Sequence, residues 1–189
     1  MITILDKSTA LVIIDLQKGI LSNPLSRPVQ DIIYKNNKLI EAFRKAGLPI
    51  VLVNVNHAGS AWSKTRKDFV FSSPAVVDAD WFNIVPEINT HPDDIFITKH
   101  TWGAFFETSL DEELQKRNIT GIVLSGVATS IGVEGTARHA SERGYNIAFA
   151  EDAMTDLSSE AHEHSIKRIF PKIGEVGDCE TIIEKLLER

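Results

Sequence analysis

Short apolar runs alternate with longer amphipathic stretches along the whole chain. The runs are "ALVIID" (10–15), "PIVLVNV" (49–55), "DIFITK" (94–99), "GIVLSG" (121–126), "YNIAFAED" (145–152) and "KIGEV" (172–176). They are nearly continuous in Val, Ile, Leu and Phe, which suits parallel strands covered on both faces. Between them, apolar residues recur at helical spacing over 28–46, 108–117, 130–143, 158–169 and 178–188. The first helical stretch puts Ile32, Ile33, Leu39, Ile40 and Phe43 on one stripe, with Pro28 near its start and Gly47 just after its end. Proline at the start and glycine past the end is the expected punctuation of a helix. The last begins at Asp178, a favoured N-cap, and carries Ile182, Ile183, Leu186 and Leu187.

Strand followed by helix, repeated, predicts right-handed crossovers and helices on both faces of one sheet. The expected fold is a three-layer α/β/α sandwich with a central, mostly parallel six-stranded sheet, in one domain over residues 1–189. One irregular stretch, about 56–93, holds two of the three tryptophans. A connection of that length in a compact domain is commonly a lid or a pocket wall.

Composition narrows the function. Net charge is −6 with acidic residues spread along the chain. A nucleic-acid partner is therefore not expected, since it would call for a clustered basic face. The single cysteine, Cys179, rules out an internal disulfide framework and suits a reducing compartment. The N-terminal residues lack a secretory signal pattern, and no apolar run approaches the roughly 20 residues of a membrane span. The expectation is a cytoplasmic protein with no membrane partner.

In open α/β sheets, ligands bind beyond the carboxyl ends of the strands. The first strand delivers Asp15 there, the second Asn54 to His57, the third Lys99 followed by "HTWGAFF", and the fourth "GVATSIG". Each has an ordinary reading: Asp15 as a turn cap, Lys99 as a solvated charge, Gly132 as a helix–sheet packing position. His57 and His100 taken singly read as surface or pocket-wall residues. Their joint placement at one sheet edge is what points to a pocket.

The chain resembles the isochorismatase-like hydrolase superfamily, the cysteine hydrolases that include nicotinamidases. The resemblance rests on "ALVIIDLQKGI", "ITKHTWGAFFETSLDEEL" and "GIVLSGVATSIGVEGTARHASERGYNIAFAEDA", and it extends over nearly the whole chain. The family triad is an aspartate after the first strand, a lysine after the third, and a cysteine opening the helix after the fourth. Asp15 and Lys99 match the first two, and Gly132 stands where the cysteine would be. A thiol at a helix N-terminus is activated by free N–H groups and the helix dipole, so residue 132 cannot supply thiolate chemistry here. Cys179 lies too far along the chain to replace it.

Members with glycine at this position include isochorismatases, which cleave a vinyl ether without a covalent intermediate. The resemblance therefore implies hydrolysis of isochorismate type, giving pyruvate and a dihydroxy-cyclohexadiene carboxylate, with Asp15 as general acid and Lys99 orienting it or binding a substrate carboxylate. The space freed at Gly132 would admit substrate or water. The alternatives are a non-catalytic binding or assembly member that lost its nucleophile, and an amidohydrolase whose cysteine has been substituted. "GVATSIG" is closer to the turn of cysteine-bearing members. In that turn the family often has a non-proline cis peptide, here Val127–Ala128. Candidate substrate-binding residues are Asn56, His57, Trp102, Phe105, Ala128 and Thr129, with Trp62 or Trp81 and the cations Lys64, Arg66 and Lys67 as further loop candidates. Nicotinamidase-type relatives bind a divalent metal through an Asp-x-His pair after the second strand; His57 lacks that aspartate, so no metal and no other cofactor is expected. A small-molecule substrate and a homo-oligomer complete the expectation.

Overall fold

The computed structural model describes residues 2–68 and 78–188. Six strands form one sheet: β1 (Thr9–Ile14), β2 (Ile50–Val55), β3 (Ile95–Lys99), β4 (Gly121–Val127), β5 (Asn146–Thr155) and β6 (Glu175–Gly177). The spatial order is β3-β2-β1-β4-β5-β6, and every strand pair is parallel. The helices are α1 (Lys18–Leu21), α2 (Val29–Lys45), α3 (Leu110–Gln115), α4 (Glu134–Glu142), α5 (Ser159–His164) and α6 (Cys179–Leu187). A π-turn, Thr129–Val133, leads into α4, and a second, Ser165–Ile169, continues α5. The result is the three-layer α/β/α sandwich that the alternation of apolar runs predicts. Among the described residues, no helix is long and apolar enough to cross a membrane.

Period-two alternation splits each central strand between two cores. Leu11 and Ile13 of β1, with Ile50 and Leu52 of β2, pack against Ile32, Leu39, Ile40 and Phe43 of α2 and Ile182 and Leu186 of α6. Ala10, Val12 and Ile14, with Val51 and Val53, face Leu110 and Leu114 of α3 and Ala137 and Ala140 of α4. Burial on both faces is why β1 and β4 are mostly apolar, with every residue buried. β3 departs from this pattern because it is an edge strand: Phe96 and Thr98 lie exposed on its open face.

Local signals place the ends. α2 stops at a Schellman arrangement: Gly47, at φ 67°, donates to Arg44 O, and Leu48 N donates to Phe43 O. Asp178 caps α6 by accepting from Thr181 N at 2.8 Å. β5 runs beyond its expected end because the β4–β5 register shifts between Leu124 and Gly126. There the buried Asn36 side chain donates to Ala153 O at 3.0 Å and accepts from Ser125 Oγ at 2.6 Å. β6 begins later than expected because residues 170–172 form a 3₁₀ turn containing Pro171.

The sheet reverses its winding between β1 and β4, the topological switch point where α/β folds bind ligands. Gly126 makes this approach possible. Its φ is 111°, and a Cβ there would lie 2.1 Å from Ile14 O and 2.6 Å from Ile14 N. Gly126→Ala is expected to lower the stability by more than about 3 kcal/mol, since it adds backbone strain to a backbone clash. Urea denaturation monitored by tryptophan fluorescence would show this as a lower midpoint, and an unchanged midpoint would refute the steric account.

Candidate active site

Asp15 is the first residue beyond β1. Its N–H makes a last ladder bond to Val53 O at 2.8 Å, and the chain then leaves the strand with Asp15 at φ 51°. That left-handed conformation is uncommon outside glycine, though Asp tolerates it better than most residues. The turn aims the carboxylate across the end of β2 toward β3. Lys99, the last residue of β3, places Nζ 2.7 Å from Asp15 Oδ2, with both side chains almost completely buried. Lys99 Nζ also donates to Thr101 O at 3.3 Å. Asp15 Oδ1 is buried and has no hydrogen-bond partner.

Burial raises the Asp15 carboxyl from its ordinary value near 3.8 to about 6, against the opposing charge and hydrogen bond of Lys99. Desolvation penalises the anion more than the single cation recovers. The site thus holds a carboxyl whose pKa lies near neutrality, with one oxygen fixed by Lys99 and the other buried without a partner.

Gly132 completes the group from the opposite side. A Cβ at this position would lie 2.9 Å from Ile14 Cγ2, 3.1 Å from Asp15 Oδ2 and 3.4 Å from Lys99 Nζ. The position is therefore aimed at the aspartate–lysine pair, as the triad resemblance implies. The expectation of free space for substrate or water there needs correcting, because the Ile14 methyl and the Asp15 carboxylate already close around the glycine. Cys179 is elsewhere: it is buried at the start of α6, its N–H donates to Asp152 Oδ1, and burial raises its thiol pKa.

The turn from β4 into α4 is held by residues that no local sequence pattern singles out. The Val127–Ala128 peptide is cis, where the family resemblance puts one. Ala128 O accepts from Ile131 N and Val133 N, both at 3.1 Å. Ser130 N donates to the buried Asp156 carboxylate at 2.7 Å. Thr136 Oγ1 donates to Gly132 O at 2.7 Å and accepts from Ala104 N at 3.0 Å, joining the glycine turn to the loop after β3. Gln17, fully buried, ties down the end of β2: Val55 N donates to its Oε1 at 2.7 Å and its Nε2 donates to Val55 O at 3.1 Å.

The expected substrate-binding residues divide. Asn56 and His57 follow β2 and Trp102 follows β3. Rings of His57 and Trp62 lie 4.5 Å apart, and Trp62 and Trp102 6.4 Å apart, forming one aromatic wall. Lys67 Nζ sits 4.3 Å from the Trp62 ring centre and donates to Trp62 O at 2.7 Å, so its charge is committed to that loop. Phe105 is not on the wall. It is buried in the α3–α4 core, between the Tyr145 ring and the Arg143 guanidinium. Thr129 is buried with its hydroxyl spent: it donates to Thr155 O at 3.0 Å and so accepts from His162 Nδ1 at 2.7 Å. Trp81 also leaves the site, its ring lying directly on Gly19 while Lys18 pairs with Asp80. Lys64 and Arg66 are exposed, and residues 69–77 of the long connection lie outside the described residues.

The residues after β2 do not fit the metal arrangement of nicotinamidase-type relatives. Val55 stands two before His57, where an aspartate would be needed, and among the described residues no three His, Cys, Asp or Glu side chains converge.

A switch-point site carrying an Asp–Lys pair against a helix-opening turn suits a hydrolase of the α/β/α class. The sequence model described as "Isochorismatase domain" matches residues 9–181, and the chain belongs to that family. The isochorismatase family protein YwoC of Bacillus subtilis (strain 168) is 43% identical over 182 residues, spanning 95% of each chain. The corresponding protein YecD of Escherichia coli O157:H7 is 39% identical over 184 residues, 95% of this chain and 97% of that one. The solved structure of an isochorismatase family protein from Burkholderia thailandensis superimposes with a TM-score of 0.92 at 38% identity, covering 99% of this chain and 100% of the other.

The pair generates a direct prediction. A carboxyl-carbon NMR titration of Asp15 is expected to show a midpoint near 6. In Lys99→Met it moves upward, because the lysine's charge and hydrogen bond both favour the carboxylate. A midpoint that stays put or falls would refute the coupling.

Proposed function

We propose that this chain hydrolyses a vinyl ether of the isochorismate type, releasing pyruvate, with Asp15 as general acid. The observation that carries the reading is the state of Asp15. Oδ2 is fixed by Lys99 at 2.7 Å, Oδ1 is buried without a partner, and burial holds the carboxyl pKa at about 6. Position 132 supplies no nucleophile, so the chemistry assigned to this site is acid catalysis.

In this reading the proton leaves Asp15 Oδ1 for the methylene carbon of the enolpyruvyl group. The ether carbon becomes an oxocarbenium ion, and the new Asp15 carboxylate is stabilised by the Lys99 ammonium. Water adds to the ether carbon and returns one proton to Asp15. The resulting hemiketal then breaks its bond to the ring oxygen, which takes the hemiketal hydroxyl proton, leaving pyruvate and the ring alcohol. Asp15 ends protonated, as it began. General acid catalysis of this kind contributes about 10²–10⁴-fold.

Pyruvate release from isochorismate, coupled to lactate dehydrogenase, tests the reading. Asp15→Asn is expected to reduce turnover at least about 10²-fold, the lower end of a general acid's contribution. The active form is protonated, so kcat/KM is expected to be full at acid pH and to fall as pH rises through about 6. Lys99→Met is expected to move that falling limb to higher pH. Turnover that survives in Asp15→Asn, or a rate that rises with pH through this window, would refute the assignment.

A further inference from the structure

The loops after β2 and β3 fix two imidazoles in a single tautomer. His57 Nδ1 lies 2.9 Å from His100 O, and His100 Nδ1 lies 2.6 Å from Asn56 O. A carbonyl oxygen only accepts, so each Nδ1 carries the hydrogen and donates. Asn56 N in turn donates to Lys99 O at 2.9 Å, and Asn56 Oδ1 accepts from Ala58 N at 3.0 Å. The two loops thus clasp each other through both histidines, directly beside the residue that holds Asp15.

The clasp leaves Nε2 as the free nitrogen of both rings, and neither Nε2 makes a hydrogen bond among the described residues. A neutral imidazole protonated on Nδ1 presents Nε2 as an acceptor. Partial burial lowers the His57 pKa from its ordinary value against the opposing hydrogen bond to His100 O, and the nearby charges of Lys99 and Lys67 lower it further. Its ring also packs on Trp62, which continues the wall to Trp102. This end of the site therefore offers acceptors and aromatic surface, with the Lys67 ammonium over the Trp62 ring, while the Asp15 end offers the Lys99 ammonium and the acid.

From this polarity we infer that His57 Nε2 and His100 Nε2 are the specificity contacts for hydroxyl groups on a ring stacked against the Trp62–Trp102 wall. The substrate class is a hydroxylated cyclic acid. Its donors meet the histidines. The inference rests on the proposed vinyl-ether reading for the identity of the reacting group, but the recognition it describes is independent of turnover.

The test uses the intact protein and two stable acids, 2,3-dihydroxybenzoate and benzoate, the second lacking the donors. Calorimetric titration is expected to show about tenfold tighter binding of the dihydroxy acid, the worth of one net neutral hydrogen bond. Imidazole ¹⁵N spectra are expected to show both rings as Nδ1–H tautomers, with Nε2 of His57 moving on addition of the dihydroxy acid only. In His57→Asn the side-chain amide can still donate to His100 O, but the Nε2 acceptor is gone, so the discrimination is expected to be lost. In Asp15→Asn the discrimination is expected to persist while pyruvate release disappears, which separates this inference from the catalytic one. The inference is overturned by equal affinities, by failure of both acids to bind, or by Nε2–H tautomers. It is also overturned if Zn²⁺ perturbs both rings while neither acid does.

Discussion

The contact between Lys99 and Asp15 constrains the architecture around it more than any other. Removing two charges from water costs several kcal/mol per ion, and their attraction repays this only in good geometry. Neither residue can be buried there without the other. β1 must therefore end in a left-handed turn that aims Asp15 sideways, and β3 must end with its lysine across the tip of β2. Gln17 closes the β2 end between them. The pair leaves one carboxylate oxygen without a hydrogen-bond partner, which together with burial disfavours the charged form of Asp15.

Around the pair, the switch point supplies rigidity from both sides. Thr136 links the glycine turn to the loop after β3, while Asp156 and His162 hold the turn from the β5 side. These polar groups are buried and use their bonding capacity on backbone groups or on each other. Satisfied buried networks of this kind resist rearrangement, because breaking one bond leaves an unpaired group in a poorly solvated setting. The aromatic wall is built differently, from tilted ring contacts on two loops joined by the histidine clasp. One half of the site is a fixed frame and the other a surface shaped for recognition.

Strand positions were legible because both sheet faces are covered, which favours nearly continuous apolar composition at β1, β2 and β4. The convergence of Asp15 and Lys99 was legible for a topological reason: parallel strands deliver their last residues to one edge. What could not be read is anything set by a distant partner. Gln17, Thr136 and Asp156 act on residues 38, 32 and 26 positions away, and nothing local marks them. Phe105 and Trp102 are equally aromatic in sequence, yet the loop after β3 turns one into the core and leaves the other at the surface. Thr129 looked available until its hydroxyl was seen to be shared between Thr155 and His162. The extension of β5 escaped for a similar reason, since the buried Asn36 that bridges its irregular ladder sits in another helix.

The close packing of Ile14 on Gly132 constrains substitution at both positions. A Cβ gained at 132 would lie 2.9 Å from the Ile14 methyl and 3.1 Å from Asp15 Oδ2, so one of these neighbours would have to shift to admit it. The side chain at 14 and the residue at 132 are therefore coupled through packing, and a change at one alters what the other can accept.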